Sequence, residues 1–453
     1  MYALHISSFV FIAYALVSLV LPIKIRWPLR LLLGAAVAFC GLKYLIYSYT
    51  GGILEPQMRP GSIVIHESLY ASLMIGVLLA IAKDIVLLFR WIAISLQYIK
   101  GGTLRHGRIS LVIAIISLSV GFLGTLSQFN VPQVKEETVY ISGLPAELDG
   151  YQIVQLTDLH IGPVLRKDFL SGVVERTNSL DPDLVVITGD LVDGAVGRLK
   201  DEFTPFAGLR ARHGVLAVTG NHEYYSGANS WVKTWEKLGI KFLNNESVLL
   251  RAGNVNLRVA GVPDPRGVQT GAEQPDIEKA YANIIEYTTG SSTAIDAPTA
   301  RPLEISRQVE TIDANSSGQI TVEDKAAETK SGAISFINIS NSAGTAHDSP
   351  SDDRDHFISN RAHATVLLAH QPKIAQKEDL NADLVLTGHT HGGTMFFLKP
   401  LIARYNAGYV SGMYKLDSRT HLYVSNGTGI WSGFSCRILV PAEITRFTLK
   451  RAL

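Results

Sequence analysis

The chain has 453 residues, with 41 Lys and Arg against 40 Asp and Glu, for a formal net charge of +1. The length predicts two or three structural units, and the balanced charge gives no sign of a polyanionic partner. Two cysteines, Cys40 and Cys436, exclude a disulfide framework and argue against a thiolate metal site.

Residues 1–130 read as a transmembrane helical region. Apolar stretches at 6–22, 29–48, 69–97 and 109–127 approach or exceed the ~20 residues needed to cross ~30 Å of hydrocarbon. They predict an all-α bundle of about four transmembrane helices. Residues 1–22 carry neither the basic start nor the small-residue cleavage site of a signal peptide. Lys24, Arg26 and Arg30 lie in the first connection, and Arg90, Lys100, Arg105 and Arg108 in or beside the third, against Arg59 alone in the second. The positive-inside rule therefore makes the first and third connections cytoplasmic. With four spans, a multi-pass cell-membrane protein results, and its soluble part lies on the extracytoplasmic side. Lys83-Asp84 interrupts the third stretch. Adjacent helical residues do not face each other, so this reads as a lysine snorkelling from a long tilted helix and not as a simple ion pair.

From about residue 136 to 453, short apolar runs alternate with helical stretches, the pattern of an α/β domain. Strands are predicted at 153–156, 184–187, 215–218, 257–261, 366–368, 384–386, 422–425 and 443–449, and helices at 166–178 and 230–238. Between about 290 and 360, Ser, Thr, Ala, Asn, Asp and Gly dominate. Such a stretch cannot bury enough apolar surface to offset its ordering entropy, so a mostly disordered insertion is expected.

Five short motifs each close one predicted strand: Asp158-Leu-His160, Gly189-Asp190, Gly220-Asn221-His222-Glu223, His370 and Gly388-His389-Thr-His391. In α/β folds the residues beyond the carboxyl ends of parallel strands converge on one crevice. Two aspartates, an asparagine and four histidines meeting there make a metal site. Asp190 has two oxygens with which to bridge two ions. Asn221 offers an amide oxygen, and His370, His389 and His391 offer neutral imidazoles. This mixed nitrogen and oxygen set suits Mn²⁺, Fe²⁺ or Zn²⁺ better than Ca²⁺ or Mg²⁺. Two such ions polarise a phosphoryl group and activate a bridging water. His222 need not bind metal, which leaves it to contact a phosphoryl oxygen or protonate a departing alkoxide, with Glu223 as the candidate to orient it. Asp193, three residues past Asp190, reads as a loop-capping residue, with contact to the metals through water as the alternative. Asp264 and Arg266 read as an ordinary turn, with phosphate binding as the alternative, and Asn426-Gly427 as a tight turn near the site.

Those five motifs, in that order, resemble the calcineurin-like metallophosphoesterases over roughly residues 138–450. Thr157-Asp-Leu-His, Gly220-Asn-His-Glu-Tyr-Tyr and Gly388-His-Thr-His-Gly-Gly look closest to the bacterial membrane-associated branch. The resemblance implies a four-layer α/β/β/α sandwich with two divalent metal ions at the strand ends. It implies one ion held by Asp158, His160, Asp190 and His391. The other would be held by Asp190, Asn221, His370 and His389, with His222 as leaving-group acid or phosphoryl binder. The expected function is hydrolysis of a phosphoester or pyrophosphate bond by a bridging hydroxide. The expected partners are a phosphorylated small-molecule or lipid-linked substrate and membrane lipids. The alternatives are a membrane-tethered, non-catalytic binding or regulatory module, and a nuclease. The second is disfavoured because no basic stripe with interleaved aromatics marks a nucleic-acid track.

Overall fold

The computed structural model describes residues 2–287 and 362–452; the stretch at about 290–360 expected to be a disordered insertion lies outside them. The N-terminal region is helical: α1 (Tyr2–Ala15, continued by a π-helical turn Leu16–Val20), α2 (Trp27–Gly41), α3 (Lys43–Tyr49), α4 (Pro60–Ser95) and α5 (His106–Leu126). Among the described residues, two helices, Pro60–Ser95 and His106–Phe129, are long and apolar enough to cross a membrane. The count rises to three if α2 and α3, bent by 57°, form one span. The first predicted span is a shorter apolar helix, Leu4–Val20. Of the four apolar stretches, two to three thus form helices long and apolar enough to cross a membrane; the first is short and the second is broken at Leu42.

Small residues set the packing of α4 on α5. A Cβ on Gly121 would lie 2.7 Å from the Ser72 backbone nitrogen, and one on Gly76 would lie 3.3 Å from Ser117 Oγ. Close backbone approach of this kind is how apolar helices associate when burial alone gives no gain in lipid. Ile12 and Ala15 of α1 pack on Leu73 and Val77 of α4. The Lys83–Asp84 expectation needs correction. The two side chains do pair, at 3.0 Å, because both turn toward α1. Tyr14 Oη and Ser18 Oγ donate to Asp84 Oδ2 at 2.8 and 2.6 Å, and Lys83 Nζ donates to the Ser18 carbonyl at 2.5 Å. Ser18 lies in the π-helical turn, whose looser ladder helps free that carbonyl.

Two six-stranded sheets follow. The first has the order β1 (Gln133–Ile141), β12 (Glu443–Arg451), β2 (Gln152–Leu156), β3 (Leu184–Thr188), β4 (Val215–Val218) and β5 (Ile240–Phe242). The second has the order β10 (Gly412–Lys415), β11 (His421–Val424), β9 (Leu384–Thr387), β8 (Ala364–Leu368), β7 (Val255–Gly261) and β6 (Glu246–Ala252). β2 to β5 are parallel, as are β7, β8, β9 and β11. Alternate residues serve opposite faces, as the strand period requires. Ile153, Leu184 and Val186 join Val259, Val366 and Leu386 between the sheets. Val154, Val185 and Ile187 turn outward onto Leu170, Phe203 and Trp231. On the other side, Leu367, Val385 and Leu422 meet Ile277, Ala280 and Ile374. The result is the four-layer α/β/β/α sandwich.

The two regions meet at a buried charge. Lys43 Nζ contacts Glu67 Oε2 at 2.7 Å and donates to the Gly433 carbonyl, also at 2.7 Å. Tyr47 Oη donates to Glu67 Oε1 at 2.9 Å, and the Ser435 backbone N–H to Glu67 Oε2 at 3.1 Å. Removing one partner of such a pair leaves an uncompensated buried charge, at a cost of about 3–5 kcal/mol. Lys43→Met is therefore expected to lower the thermal unfolding midpoint of the detergent-solubilised protein. A conservative exposed control, Lys24→Met, should leave it unchanged.

Candidate metal centre

The carboxyl ends of five strands supply the site. Asp158 and His160 follow β2, Asp190 and Asp193 follow β3, and Asn221, His222 and Glu223 open a short helix (Asn221–Ser226) after β4. His370 follows β8, and His389 and His391 follow β9. The loops extend the sheet ladder past the strands: Asp158 N–H donates to Gly189 O at 3.0 Å, His160 N–H to Asp190 O at 3.1 Å, and Gly388 N–H to His370 O at 2.9 Å. Gly189, at φ 88°, is forced, since a Cβ would sit 2.7 Å from Gly220 Cα and 2.9 Å from His370 Nδ1. Five candidate ligands without that freedom also have left-handed backbone: Asp158 (φ 51°), His160 (46°), Asp190 (54°), His389 (72°) and His391 (49°). Such residues cost about 1–3 kcal/mol each and persist only where their surroundings over-determine them.

Two clusters result, one of Asp158, His160 and His391 and one of Asp190, His370 and His389, each with the spacing to hold an ion. In the first, His391 Nε2 is 3.4 Å from Asp158 Oδ1 and 3.2 Å from His160 Nε2. In the second, His370 Nε2 is 3.2 Å from each of Asp190 Oδ2, His389 Nδ1 and Asn221 Oδ1. Asp190 Oδ2 lies 3.7 Å from His160 Nε2, between the clusters. Every candidate ligand singled out in the sequence is thus brought to one place.

The protonation pattern argues that the clusters fit cations. His370 Nδ1 donates to the Thr188 carbonyl at 2.8 Å, which frees Nε2 to face Asp190; against the penalty of burial, that carboxylate raises the ring well above its ordinary value. His160 Nδ1 faces Asp193 Oδ1 at 3.0 Å, which frees Nε2 in the same way. Both Nε2 atoms therefore point into the clusters, and a cation bound beside His370 would displace the proton that Asp190 favours there. Burial, reinforced by His370, holds His389 down at about 3, and burial with His160 and Arg437 beside it holds His391 well below its ordinary value. Both imidazoles are neutral, as ligation requires. Burial raises Asp158 despite the pull of His370, so its carboxylate calls for a nearby positive charge to stay ionised.

His222 stands apart from the two clusters. Its Nδ1 is 2.5 Å from Asp193 Oδ1, while its Nε2 is 4.0 Å from Asp190 Oδ2. His160, Asp193 and His222 also have ion-holding spacing, but both Nδ1 atoms there engage the one carboxylate in hydrogen bonds. Against the penalty of burial, Asp190 and Asp193 push His222 up to about 9. The rings of Tyr225 and Trp431 pack on it at centroid distances of 5.3 and 5.6 Å.

Asp193 and Glu223 differ from the sequence expectations. Asp193 is buried and contacts both His160 and His222. Its position three residues beyond Asp190, on the same rim, was the available signal. Glu223 does not meet the His222 ring, since neighbouring side chains on a helical turn diverge. Its carboxylate instead accepts the backbone N–H groups of Gly220 (2.6 Å), Leu191 (2.7 Å) and Asp190 (2.9 Å), clasping two ligand loops together. Arg437, also unanticipated, is buried and donates to the carbonyls of His391 (2.9 Å), Asn426 (2.6 Å) and Gly429 (2.8 Å). Asp264 caps its own turn through the Arg266 N–H at 2.7 Å, as expected.

Two outcomes are expected. Asp193→Asn removes the anion that orients His160, and such partners are worth about 10–100-fold in metal affinity; competitive Mn²⁺ titration should register that loss. Glu223→Ala strands three buried N–H groups, at about 1–3 kcal/mol each. It should lower the unfolding midpoint of the chelator-treated protein, with Glu223→Gln restoring part of it.

Comparison with known proteins agrees with this geometry. Residues 151–393, which contain all nine site candidates, match the family model described as calcineurin-like phosphoesterase. An uncharacterized metallophosphoesterase of Helicobacter pylori (strain ATCC 700392 / 26695) is 31% identical over 320 residues, 70% of this chain and 64% of that protein. A Bos taurus protein named transmembrane protein with metallophosphoesterase domain is 28% identical over 371 residues, 79% of this chain and 65% of its own length. An uncharacterized metallophosphoesterase of Aquifex aeolicus is 27% identical over 318 residues, 70% of this chain and 92% of that protein. The chain thus spans 64% of the length of the Helicobacter relative. Its apolar helices and its kinship with a transmembrane protein make it a membrane protein. With the family model covering more than half of the sequence and the motif side chains gathered at the strand ends, the chain belongs to the calcineurin-like phosphoesterase family.

Proposed function

We propose that this protein is a metal-dependent phosphoesterase that cleaves a phosphoester or pyrophosphate bond at a dinuclear centre. The observation that carries the reading is the pair of acceptor clusters with Asp190 between them. Asp158, His160, Asp190 and His391 would hold one divalent ion, and Asp190, Asn221, His370 and His389 the other. Mn²⁺, Fe²⁺ and Zn²⁺ suit these donors. Bound there, the ions supply Lewis-acid polarisation of the phosphoryl group and an acidified water. His222 keeps its Nδ1 engaged by Asp193 and leaves Nε2 to bond a phosphoryl oxygen or pass a proton to the leaving group. Tyr225 and Trp431 fix the plane of its ring.

A lipid-linked phosphate is the substrate class favoured by the surroundings. A cavity of about 610 Å³ runs between the helical region and the site, lined among others by Leu4, Ile53, Glu55, Tyr225, Arg266 and Trp431. Its Tyr225 and Trp431 wall packs directly on His222. Arg266 stacks its guanidinium on Tyr225 at 4.9 Å, where it meets an incoming anion. A cleft of about 530 Å³ around Tyr151, Asp183 and Arg212 lies at the opposite, amino ends of the strands and contains no candidate ligand.

The same reading makes the protein multi-pass, with its catalytic domain outside the cytoplasm. Supporting it, Gly107 at the start of α5 adjoins Ile23, and Arg90 reaches the Gly102 carbonyl. The basic connections around 24–30 and 90–108 therefore gather at one end of the bundle. Leu4, Lys43, Glu55 and Gly124 meet the catalytic domain at the other.

The test is hydrolysis by the full-length protein of bis-p-nitrophenyl phosphate and p-nitrophenyl phosphate with and without Mn²⁺. Turnover should require the metal and vanish in Asp190→Ala. His222→Ala should lose about 10²–10⁴-fold in kcat while still binding Mn²⁺. Metal binding with no turnover of any phosphoester would favour a non-catalytic binding module instead.

A further inference from the structure

We infer that the catalytic domain inserts a segment of its own, Met395 to Tyr405, into the bilayer beside α4 and α5. The inference rests on the reading that these two helices cross the membrane. The segment comprises a short 3-10 turn (Phe396–Leu398) running into a helix (Lys399–Tyr405).

Its depth follows from its contacts. Met395 is fully buried in one cluster with Ala71 and Ile75 of α4, and Val120 of α5, Leu398 and Ile438 pack around them. Phe396 N–H donates to Ile438 O at 3.1 Å, and Ile438 N–H to Thr394 O at 3.0 Å. Arg437 N–H donates to the Gly124 carbonyl of α5 at 3.2 Å. The segment is therefore pinned at the level of Val120 to Gly124. On the same stretch of α5, Leu118, Leu123 and Leu126 face outward and are exposed.

At that level the segment turns large apolar groups outward. Phe396 is 51% exposed, Phe397 40%, Leu401 52% and Tyr405 67%, and Leu439 on the adjoining loop reaches 80%. An exposed apolar patch of this kind marks a place of contact. Lipid is the occupant that the geometry selects, because the patch continues the outward apolar surface of α5. Leu401 and Tyr405, four residues apart, share one helical face. Lys399 and Arg404 supply the cations, and Tyr405 the amphipathic ring, that settle at the headgroup level. The insertion begins four residues beyond His391, so the bilayer holds the strand end that carries two candidate ligands. The site then faces the headgroup layer at short range.

The experiment uses the full-length protein in phosphatidylethanolamine and phosphatidylglycerol vesicles, in a Cys40→Ser, Cys436→Ala background. Nitroxide labels go on Phe397→Cys and Leu401→Cys, with Ile115→Cys on α5 as the lipid reference and Tyr140→Cys on β1 as the aqueous one. Collision with oxygen, which partitions into lipid, is compared with collision with a water-soluble nickel chelate. Labels at 397 and 401 should match Ile115→Cys, with oxygen collisions dominant. If both match Tyr140→Cys, the insertion is overturned. If Ile115→Cys itself behaves as aqueous, the membrane reading of α5 fails first. Two label positions guard against one perturbed variant deciding the result.

Discussion

Carboxylate, amide and imidazole atoms crowded at the strand ends are the constraint from which the architecture of the C-terminal domain follows. Nε2 of His370 faces the carboxylate of Asp190, the amide oxygen of Asn221 and Nδ1 of His389, all at 3.2 Å. Oxygen and nitrogen atoms at that range repel unless a proton or a metal cation lies among them. The strand order serves this convergence. β2, β3 and β4 are parallel neighbours in one sheet, and β8 and β9 are parallel neighbours in the other. Their carboxyl ends open on the same side of the apolar layer formed by Ile153, Val186, Val366 and Leu386. The core sets the strands, the strands set the loops, and the loops set the ligand geometry.

A second layer of interactions ties the site to the helical region. The loop after β11 carries Trp431 against His222, accepts Lys43 and Tyr44 at the Gly433 carbonyl, and sends Arg437 back beneath His391. Ser432 Oγ donates to the Leu54 carbonyl at 3.0 Å, and Arg198 pairs with Glu55 at 2.6 Å. Few residues separate a bond to the helices from a bond to a candidate ligand. Glu67 and Lys43 are fully buried at this junction, where desolvation is offset by their mutual contact, by Tyr47, Gly433 and Ser435, and by the rings of Tyr44 and Tyr70 near the ammonium.

The sequence carried the parallel strands plainly, because both faces of β2, β3 and β4 are covered and their residues are mostly apolar. It hid β1, whose Lys135, Glu136 and Glu137 lie on an edge and break the apolar pattern. β5 has only three residues, too few for a period to register. The motif residues were legible because their chemistry is local to each strand end. The supporting residues were less so: Asp193 and Arg437 owe their roles to partners up to 46 residues away. Lys83-Asp84 illustrates the same limit. Read along one helix the two cannot meet, yet Tyr14 and Ser18 of α1 draw both side chains to one point. Likewise, apolar length alone did not reveal the bend at Leu42.

The left-handed backbone at Asp158, His160, Asp190, His389 and His391 bears on ion choice through radius. Each of these residues is held in a narrow conformational well by the ladder bonds of neighbouring loops, by the clasp of Glu223, by the Asp158 carboxylate on the His389 N–H, or by the buried guanidinium of Arg437. A soft cage would swell for a large ion and gather more oxygens around it, as calcium demands with six to eight ligands at about 2.3–2.6 Å. This cage has little freedom to swell, since widening it means breaking backbone bonds that no side-chain rotation can replace. Under the proposed reading of the centre, discrimination by size would be a property of the main chain, and a substitution that leaves every ligand in place but loosens a loop would blur it.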